Sequence, residues 1–297
     1  MTPLVSVVIP TYNRARDLER ALKSVVGQTY SSWETIVVDN HSSDETDDLV
    51  NSFREARIKL IKIRNNGVVA ASRNLGIRHA AGEYVAFLDS DDWWMSEKLT
   101  ESIDYLERGA DVVYHDMFLV KRYGQIFFWR GNRGRDLKSP VFQDLIVNGN
   151  ALMNSSVVAR KRVLQAIGSL SEDPALIAIE DCDAWLRIAR ITDRFTKVPK
   201  TLGYYWVGGE KLSSPERTLV NLDAFEKRYP EDFNGLDARP DPWWRHYSKG
   251  RAHYLLGDYS EARNMLGRIR WRRVPPMIAV KTLWMLLMSF AGSRLRL

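Results

Sequence analysis

The chain has 297 residues, 45% hydrophobic and 27% charged, which suits one or two globular domains and excludes wholesale disorder or a fibrous repeat. A single cysteine, Cys182, excludes an intrachain disulfide framework and a cysteine-rich zinc module. The net charge of +6 is uneven: residues 261–297 hold eight Lys/Arg and one acid, Glu261, while the other 260 residues carry 35 basic and 36 acidic groups. A near-neutral body with a basic tail points to an anionic surface rather than to nucleic acid.

The start, MTPLVSVVIPTYNR, has no basic region ahead of a long apolar core, so no signal peptide is read and a cytoplasmic location is expected. Val5–Pro10 reads as a buried strand ended by Pro10 and the turn-forming Thr11-Tyr12-Asn13. Asp17–Gln28 carries apolar residues at helical spacing. Thr35–Asp39 is a second strand, Asp47–Phe53 a short helix, Ile58–Ile63 a third strand, Val68–His79 a helix and Tyr84–Leu88 a fourth strand. Repeated strand–helix units with non-alternating apolar strands predict an α/β fold, a mostly parallel sheet flanked by helices. Ligands in such sheets bind beyond the carboxyl ends of the strands. Three strands end there in polar clusters: Thr11-Tyr12-Asn13-Arg14, Asp39-Asn40 and Asp89-Ser90-Asp91-Asp92.

Farther on, strands are expected at Val112–Tyr114 and Gln125–Trp129, then a loop with Gly131, Gly134 and Pro140, then helices near 141–148 and 160–168. The apolar spacing of Ile179–Ile191 predicts a helix entered through Glu180-Asp181. Residues 211–297 read as an all-helical extension. Within it, Trp243–Leu256 and Tyr259–Ile269, joined by Gly257-Asp258, resemble one hairpin of a tetratricopeptide-like repeat, and one copy makes no solenoid. The expected division is 1–210, with halves 1–110 and 111–210, followed by 211–297.

Three carboxylates within Asp89–Asp92 repel one another, and a hard divalent cation that prefers oxygen ligands would relieve the repulsion. Alone, that loop reads equally well as a solvated helix cap. Tyr12 can stack on a base, or be a plain surface aromatic. Asp39 can accept hydrogen bonds from a uracil imide or a ribose, or close an Asx-turn. Arg73, in a helical segment behind Gly67, can pair with a diphosphate bidentately, or form an ordinary surface ion pair. Glu180-Asp181 at a helix entrance can supply a general base, or merely cap the helix.

Taken in order, the segments VSVVIPTYNR, IVVDNHSSDET, NNGVVAASRNLGI and GEYVAFLDSDDWW, with Glu180-Asp181 beyond them, resemble the inverting family 2 glycosyltransferases. The likeness is close over residues 4–100 and looser to about 213. It implies the GT-A fold, a Rossmann-like unit that moves a sugar from a nucleotide diphosphate to an acceptor hydroxyl. It implies nucleotide contacts from Pro10, Thr11, Tyr12, Arg14, Asp39, Gly67, Arg73 and Asp89. It implies Mn²⁺ or Mg²⁺ on Asp91, with Asp89 beside it and Asp92 as second choice. Asp181 would be the base, with Glu180 orienting the acceptor or next in line. Many relatives carry an Arg and a His after the acidic pair. Here Tyr204–Lys211 offers Trp206 and Gly208 instead, with Lys211 as a candidate closing cation.

Met277–Ala291 is apolar but shorter than the ~20 residues that span a bilayer. With Arg268, Arg270, Arg272 and Arg273 before it and Arg294 and Arg296 after it, it suits a membrane interface. The plainer alternative is burial, against the catalytic domain or in a homo-oligomer. The expected partners are a nucleotide-sugar donor, a glycan or lipid-linked oligosaccharide acceptor and an anionic membrane, with no nucleic acid. The expected location is peripheral to the inner face of the cell membrane. Other classes remain: a catalytically silent nucleotide-sugar-binding scaffold, or a nucleotidyltransferase. The latter would want a glycine-rich phosphate loop after the first strand, which Pro10–Arg14 lacks.

Overall fold

Short runs rich in β-branched apolar residues make the first strands, and they pair in parallel. The computed structural model describes residues 2–125, 134–208, 213–234, 242–271 and 274–294. Strands β1 (Val5–Thr11), β2 (Trp33–Asp39), β3 (Ile58–Lys62) and β4 (Tyr84–Phe87) lie in the order β3-β2-β1-β4 with all neighbours parallel. They are linked by α1 (Ala15–Val26), α2 (Thr46–Ser52) and α3 (Val69–His79). β1, β2 and β4 are buried along their whole lengths, as strands covered on both faces must be. β2 begins two residues before the expected Thr35 because Glu34 is satisfied inside, accepting from Ser6 Oγ at 2.7 Å, Lys59 Nζ at 2.8 Å and Ala81 N at 2.6 Å. Leu18, Ala21, Leu22 and Val25 of α1 join Val5, Val7 and Ile9 in the core, each large side chain contributing about 1.5–3 kcal/mol of burial. α3 lies so close to β1 that a Cβ on Gly76 would sit 2.4 Å from Val8 Cγ1.

The sheet continues past β4 through β7 (Val158–Arg160), β6 (Val112–Val120), β8 (Phe195–Trp206) and β5 (Trp93–Trp94). β7 is antiparallel to both β4 and β6, and β6 is parallel to β8. The carboxyl ends of β6 and β8 therefore share the rim of β1, β2 and β4. β8 and β5 were not expected from the sequence, and β6 is longer than Val112–Tyr114. The expected strand Gln125–Trp129 is not borne out at Gln125, which lies outside any strand. Its remaining residues and Gly131 lie outside the described residues. Helix α4 (Lys98–Glu107) packs on this half, and α6 (Lys161–Ala166) and α7 (Glu180–Ala189) follow.

At the opposite rim, the start of β6, one buried carboxylate gathers several donors. Asp111 accepts from Arg162, from Arg194 Nε at 2.8 Å and from Thr192 Oγ1 at 2.8 Å, with Arg160 Nε 3.6 Å away.

The chain forms two compact units. One comprises Met1–Val141, Ala151–Pro174 and Glu180–Glu210; the other comprises Phe142–Asn150, Ala175–Ile179 and Lys211–Leu297. The sheet belongs to the first and crosses the expected 110/111 division. The second is helical among its described residues, with most of α5 (Val141–Asn148), then α8 (Pro215–Arg228), α9 (Pro230–Asn234), α10 (Trp243–Leu255), α11 (Tyr259–Gly267) and α12 (Pro276–Arg294). Phe225, Tyr229, Phe233 and Trp244 form an aromatic cluster there. The α10–α11 hairpin closes on Leu266 and Ile269, and Met285 of α12 completes that small core.

Candidate active site

The first two strand ends are knitted together by their own turns. Asn13 adopts φ 50°, a left-handed conformation Asn tolerates. Its N–H donates to Ser42 Oγ at 2.8 Å, and its Oδ1 accepts from Ser43 N at 2.8 Å. Tyr12, 55% exposed, stands out from this turn. Pro10 and Thr11 are buried in β1, with Thr11 beside Asp39 in the register. The Asp39 carboxylate is fully buried. It accepts from Ser42 N at 3.0 Å, from Ser42 Oγ and from Lys62 Nζ at 2.6 Å. It therefore closes an Asx-type turn with a lysine behind it.

Gly67 takes φ +83° with nothing within 4 Å of a built Cβ, so backbone conformation rather than space requires glycine there. Its N–H donates to Asn65 Oδ1 at 2.9 Å, and Asn65 N in turn donates to Asn40 Oδ1 at 2.9 Å. This turn leads into α3 and Arg73.

Arg73 is 5% exposed and joins two strand-end clusters. Its Nη2 donates to Asp89 Oδ1 at 2.6 Å and its Nη1 to Glu180 Oε1. Burial opposes its charge, but Asp89 and then Glu180 hold its pKa above the usual value. Arg73, expected to meet a diphosphate, here holds two carboxylates of the protein. Glu180, 4% exposed, is pinned by this bond, and its Oε2 has no partner among the described residues.

Asp89 is further held by its N–H on Ser155 Oγ at 3.0 Å and by Asn154 Nδ2, 3.2 Å from Oδ1. Asp91 pairs with Arg14 through Nη1. Burial first, and then Asp89, push Asp91 above the usual carboxylate range, while Arg14 pulls the other way. Asp92 is fully buried and accepts from Trp206 N at 2.8 Å. Burial, then Asp91 and Asp89, raise its pKa well above normal. Asp92, the second-choice metal ligand, anchors the end of β8 through Oδ1. Beneath the loop, Arg20 donates to Asp91 O at 2.7 Å and lies 4.0 Å from the Trp93 ring centroid and 5.2 Å from that of Trp206.

α7 begins at the acidic pair and is set against β4 by Trp185 on Phe87, ring centroids 6.0 Å apart at 65°. Asp181 Oδ1 accepts from Cys182 N at 2.7 Å. Burial, then the Glu180 carboxylate, push Asp181 up to about 7, against the pull of Arg73. That value is close to the ideal for a base working near neutral pH.

The structure therefore brings Asp89, Arg73, Glu180 and Asp181 together and sets Asp91 and Arg14 beside them, with Tyr12 at the mouth of the first turn. It also adds residues that sequence reasoning missed. Asn154 and Ser155 support Asp89. Tyr205, near the end of β8, has its hydroxyl pKa raised first by burial and then by Asp92, Asp89, Asp91 and Asp181, which puts its ring in their company. The polar run Asn154-Ser155-Ser156 between apolar stretches was the available signal for the first two. Lys211 lies outside the described residues.

Residues 6–158 match the glycosyl transferase family 2. The chain belongs to that family. Over 103 residues it is 40% identical to the UDP-Glc:alpha-D-GlcNAc-diphosphoundecaprenol beta-1,3-glucosyltransferase WfgD of Escherichia coli, covering 35% of this chain and 41% of that one. Over 106 residues it is 39% identical to the putative teichuronic acid biosynthesis glycosyltransferase TuaG of Bacillus subtilis, covering 35% and 42%. The matches thus span about two fifths of these relatives' length. Among solved structures, Staphylococcus aureus TarS 1–349 with UDP-GlcNAc superposes with TM-score 0.63 at 20% identity, over 89% of this chain and 80% of that one. The Pyrobaculum calidifontis mannosyltransferase PcManGT with GDP-Man and Mn²⁺ gives 0.62 at 19%, over 100% and 87%. At these identities the likeness is one of fold, and the fold of this family 2 member is GT-A.

Proposed function

We propose that the chain is an inverting glycosyltransferase that moves a sugar from a nucleoside-diphosphate donor, a UDP-sugar, to a hydroxyl of a glycan or lipid-linked glycan in the assembly of a bacterial surface polysaccharide. The observation that carries this reading is the Arg73 bridge, which fixes the acidic pair of α7 beside the Asp89–Asp91 loop. An acceptor-side base and a diphosphate-side cluster then share one rim. The uridine and undecaprenyl-linked chemistry named for the E. coli relative supports the donor and the acceptor class. The lipid-linked acceptor named for that relative also supports a peripheral location at a membrane.

Tyr12 stacks on the base, while Pro10, Thr11, Gly67 and the Asp39–Ser42 turn shape the nucleotide's cleft. Arg14, paired with Asp91 and more exposed than Arg73, meets the diphosphate. Asp181 takes the proton of the acceptor hydroxyl as its oxygen bonds to the anomeric carbon. The bond from that carbon to the phosphate oxygen breaks, and its electron pair leaves with the nucleoside diphosphate. A single displacement inverts the anomeric centre and needs no covalent nucleophile. Glu180, locked on Arg73, keeps Asp181 in register and raises its basicity.

Asp91 and Asp89 would hold Mg²⁺ or Mn²⁺. Among the described residues no group of three or more His, Cys, Asp or Glu is arranged to hold a metal. Two partly exposed carboxylates still fit an ion that completes its shell with substrate phosphates, and the crowded negative charge on Asp91 favours it. Bound there, the ion supplies charge neutralisation at the leaving diphosphate.

The test is transfer by Asp181→Asn, which keeps size and removes proton acceptance. Turnover should fall by about 10²–10⁴-fold, with UDP affinity nearly unchanged. Because the base works deprotonated, kcat/KM of the parent should rise with pH through about 7 and then level off, and the variant should lose that limb. Chelation with EDTA should abolish turnover in both. An undiminished Asp181→Asn enzyme would leave Asp181 as a helix cap.

A further inference from the structure

Helix α12 is turned the wrong way round for a helix facing water. Thr282 and Ser289 are fully buried and Met285 nearly so, and their positions three and four apart define one inward stripe. Inside, Thr282 Oγ1 donates to Ile278 O at 2.8 Å and Ser289 Oγ to Met285 O at 2.6 Å. The small hydroxyls thus satisfy themselves on their own helix and need no polar partner beneath. The outer face holds Met277, Val280, Leu283, Trp284, Leu287 and Phe290, between 52% and 71% exposed. A surface helix normally shows the opposite arrangement, and contiguous apolar exposure of this kind marks an interaction surface. Among the described residues no helix is long and apolar enough to cross a membrane.

Charge selects the occupant. Arg268, Arg270 and Lys281 are exposed, Lys281 on a flank of the apolar stripe, and residues 261–297 hold eight basic groups to one acid. A second copy docked face to face would set these cations against their equals. An acidic lipid headgroup layer attracts them while its acyl chains receive the apolar side chains. Lys281 has a long apolar stem that lets its ammonium reach headgroups beside a buried stripe.

We infer that the outward face of α12 docks on an anionic bilayer surface, lying in its plane with Val280 and Leu287 embedded and Trp284, edge-on to Tyr254 with ring centroids 5.8 Å apart, at the boundary. The inference rests on the helix and not on the transferase reading, so its experiment needs no sugar substrate and the two fail separately.

The experiment is flotation of the full chain with vesicles of phosphatidylcholine alone or with an equal part of phosphatidylglycerol. The parent should float with the anionic vesicles and weakly with the neutral ones, and high salt should reduce its binding only in part. Val280→Glu with Leu287→Glu should weaken anionic binding at least about tenfold, and Arg268→Glu with Arg270→Glu by a similar factor. All four side chains are exposed, so both variants should keep the parent's thermal unfolding. Leu287→Ser alone, with a smaller loss, replaces the double glutamate should that fail to fold. Failure of the parent to float with anionic vesicles, or equal binding by parent and variants, overturns the inference. So does parent self-association that Val280→Glu with Leu287→Glu abolishes without vesicle binding, which would make a second copy the occupant.

Discussion

Among the described residues of the first unit, Arg73 and Lys98 are buried basic side chains, and their fates differ. Arg73 sits among Asp89, Glu180 and Asp181 and stays charged, because a guanidinium does not deprotonate and its neighbours favour the cation. Lys98 is wholly buried on α4 with Nζ 3.7 Å from the Trp94 ring centroid. Its Nζ has no hydrogen-bond partner among the described residues, and neither do the buried Ser102 Oγ and His115 Nε2. Burial holds the Lys98 amine well below its ordinary pKa. Burial first, and then Lys98, push His115 down to about 3. His115 Nδ1 lies 2.8 Å from Asp116 O, which makes Nδ1 the donor and leaves Nε2 an unused acceptor. Equal burial thus gives opposite results: carboxylate company keeps the Arg73 pKa above its ordinary value and makes it an organiser of the rim, whereas without such company burial draws the Lys98 amine well below its own. The ring face beneath Lys98 attracts a cation too weakly to reverse that.

The contrast is broken most severely at Arg73. Arg73→Met leaves the buried Glu180 without its cation and the partly exposed Asp89 without its partner, so the free energy of unfolding should fall by about 3–5 kcal/mol, read by urea denaturation. A fall under about 1 kcal/mol would mean that the bridge behaves as a surface pair. Next comes Lys98→Met, which keeps the apolar stem and removes an unsatisfied amine. It should stabilise by about 1–3 kcal/mol near neutral pH. The sign of its pH dependence follows from the depressed folded pKa. Between that value and the unfolded value of about 10.4, the unfolded chain binds more protons, so the parent gains stability as pH rises through the window. The gap between variant and parent should therefore shrink toward pH ~10. A constant gap would mean that Lys98 titrates alike in both states. The smallest effect belongs to Ser102→Ala, which removes a hydroxyl with no partner and should change stability by less than about 1 kcal/mol. A loss beyond that would reveal a bonded hydroxyl.

The first half of the sheet was readable because β1, β2 and β4 carry the apolar cores Val7–Ile9, Ile36–Val38 and Tyr84–Phe87, each followed by a polar turn. β8 was not. Pro199 and the charged Lys197 and Lys200 interrupt it, and the structure accommodates them at an irregularity where β6 passes from His115 to Asp116 while β8 passes from Val198 to Thr201. A proline inside a run argues against a strand unless such an irregularity absorbs it. The rim residues themselves were visible, but not their burial. Nothing local to Arg73 announces a partner 107 positions away at Glu180. Nothing near Asp39 says that Lys62, from the next strand, has already met it. Residue type and spacing marked the polar strand ends, and only the packing showed which of their carboxylates are buried and bonded, as Asp39 and Asp92 are, and which stay partly exposed, as Asp89 and Asp91 do.

Asp111 gives the sheet a fixed end. The arginines and threonine gathered on it fasten the start of β6 to the segments before β8 and around β7, at the rim away from the acidic cluster. A sheet fastened there resembles a comb held by its spine: displacement costs most near the fastening and grows toward the tips. Small adjustments around an incoming ligand can therefore be taken up in the turns at the tips, while the pairing of the strands behind them keeps its register.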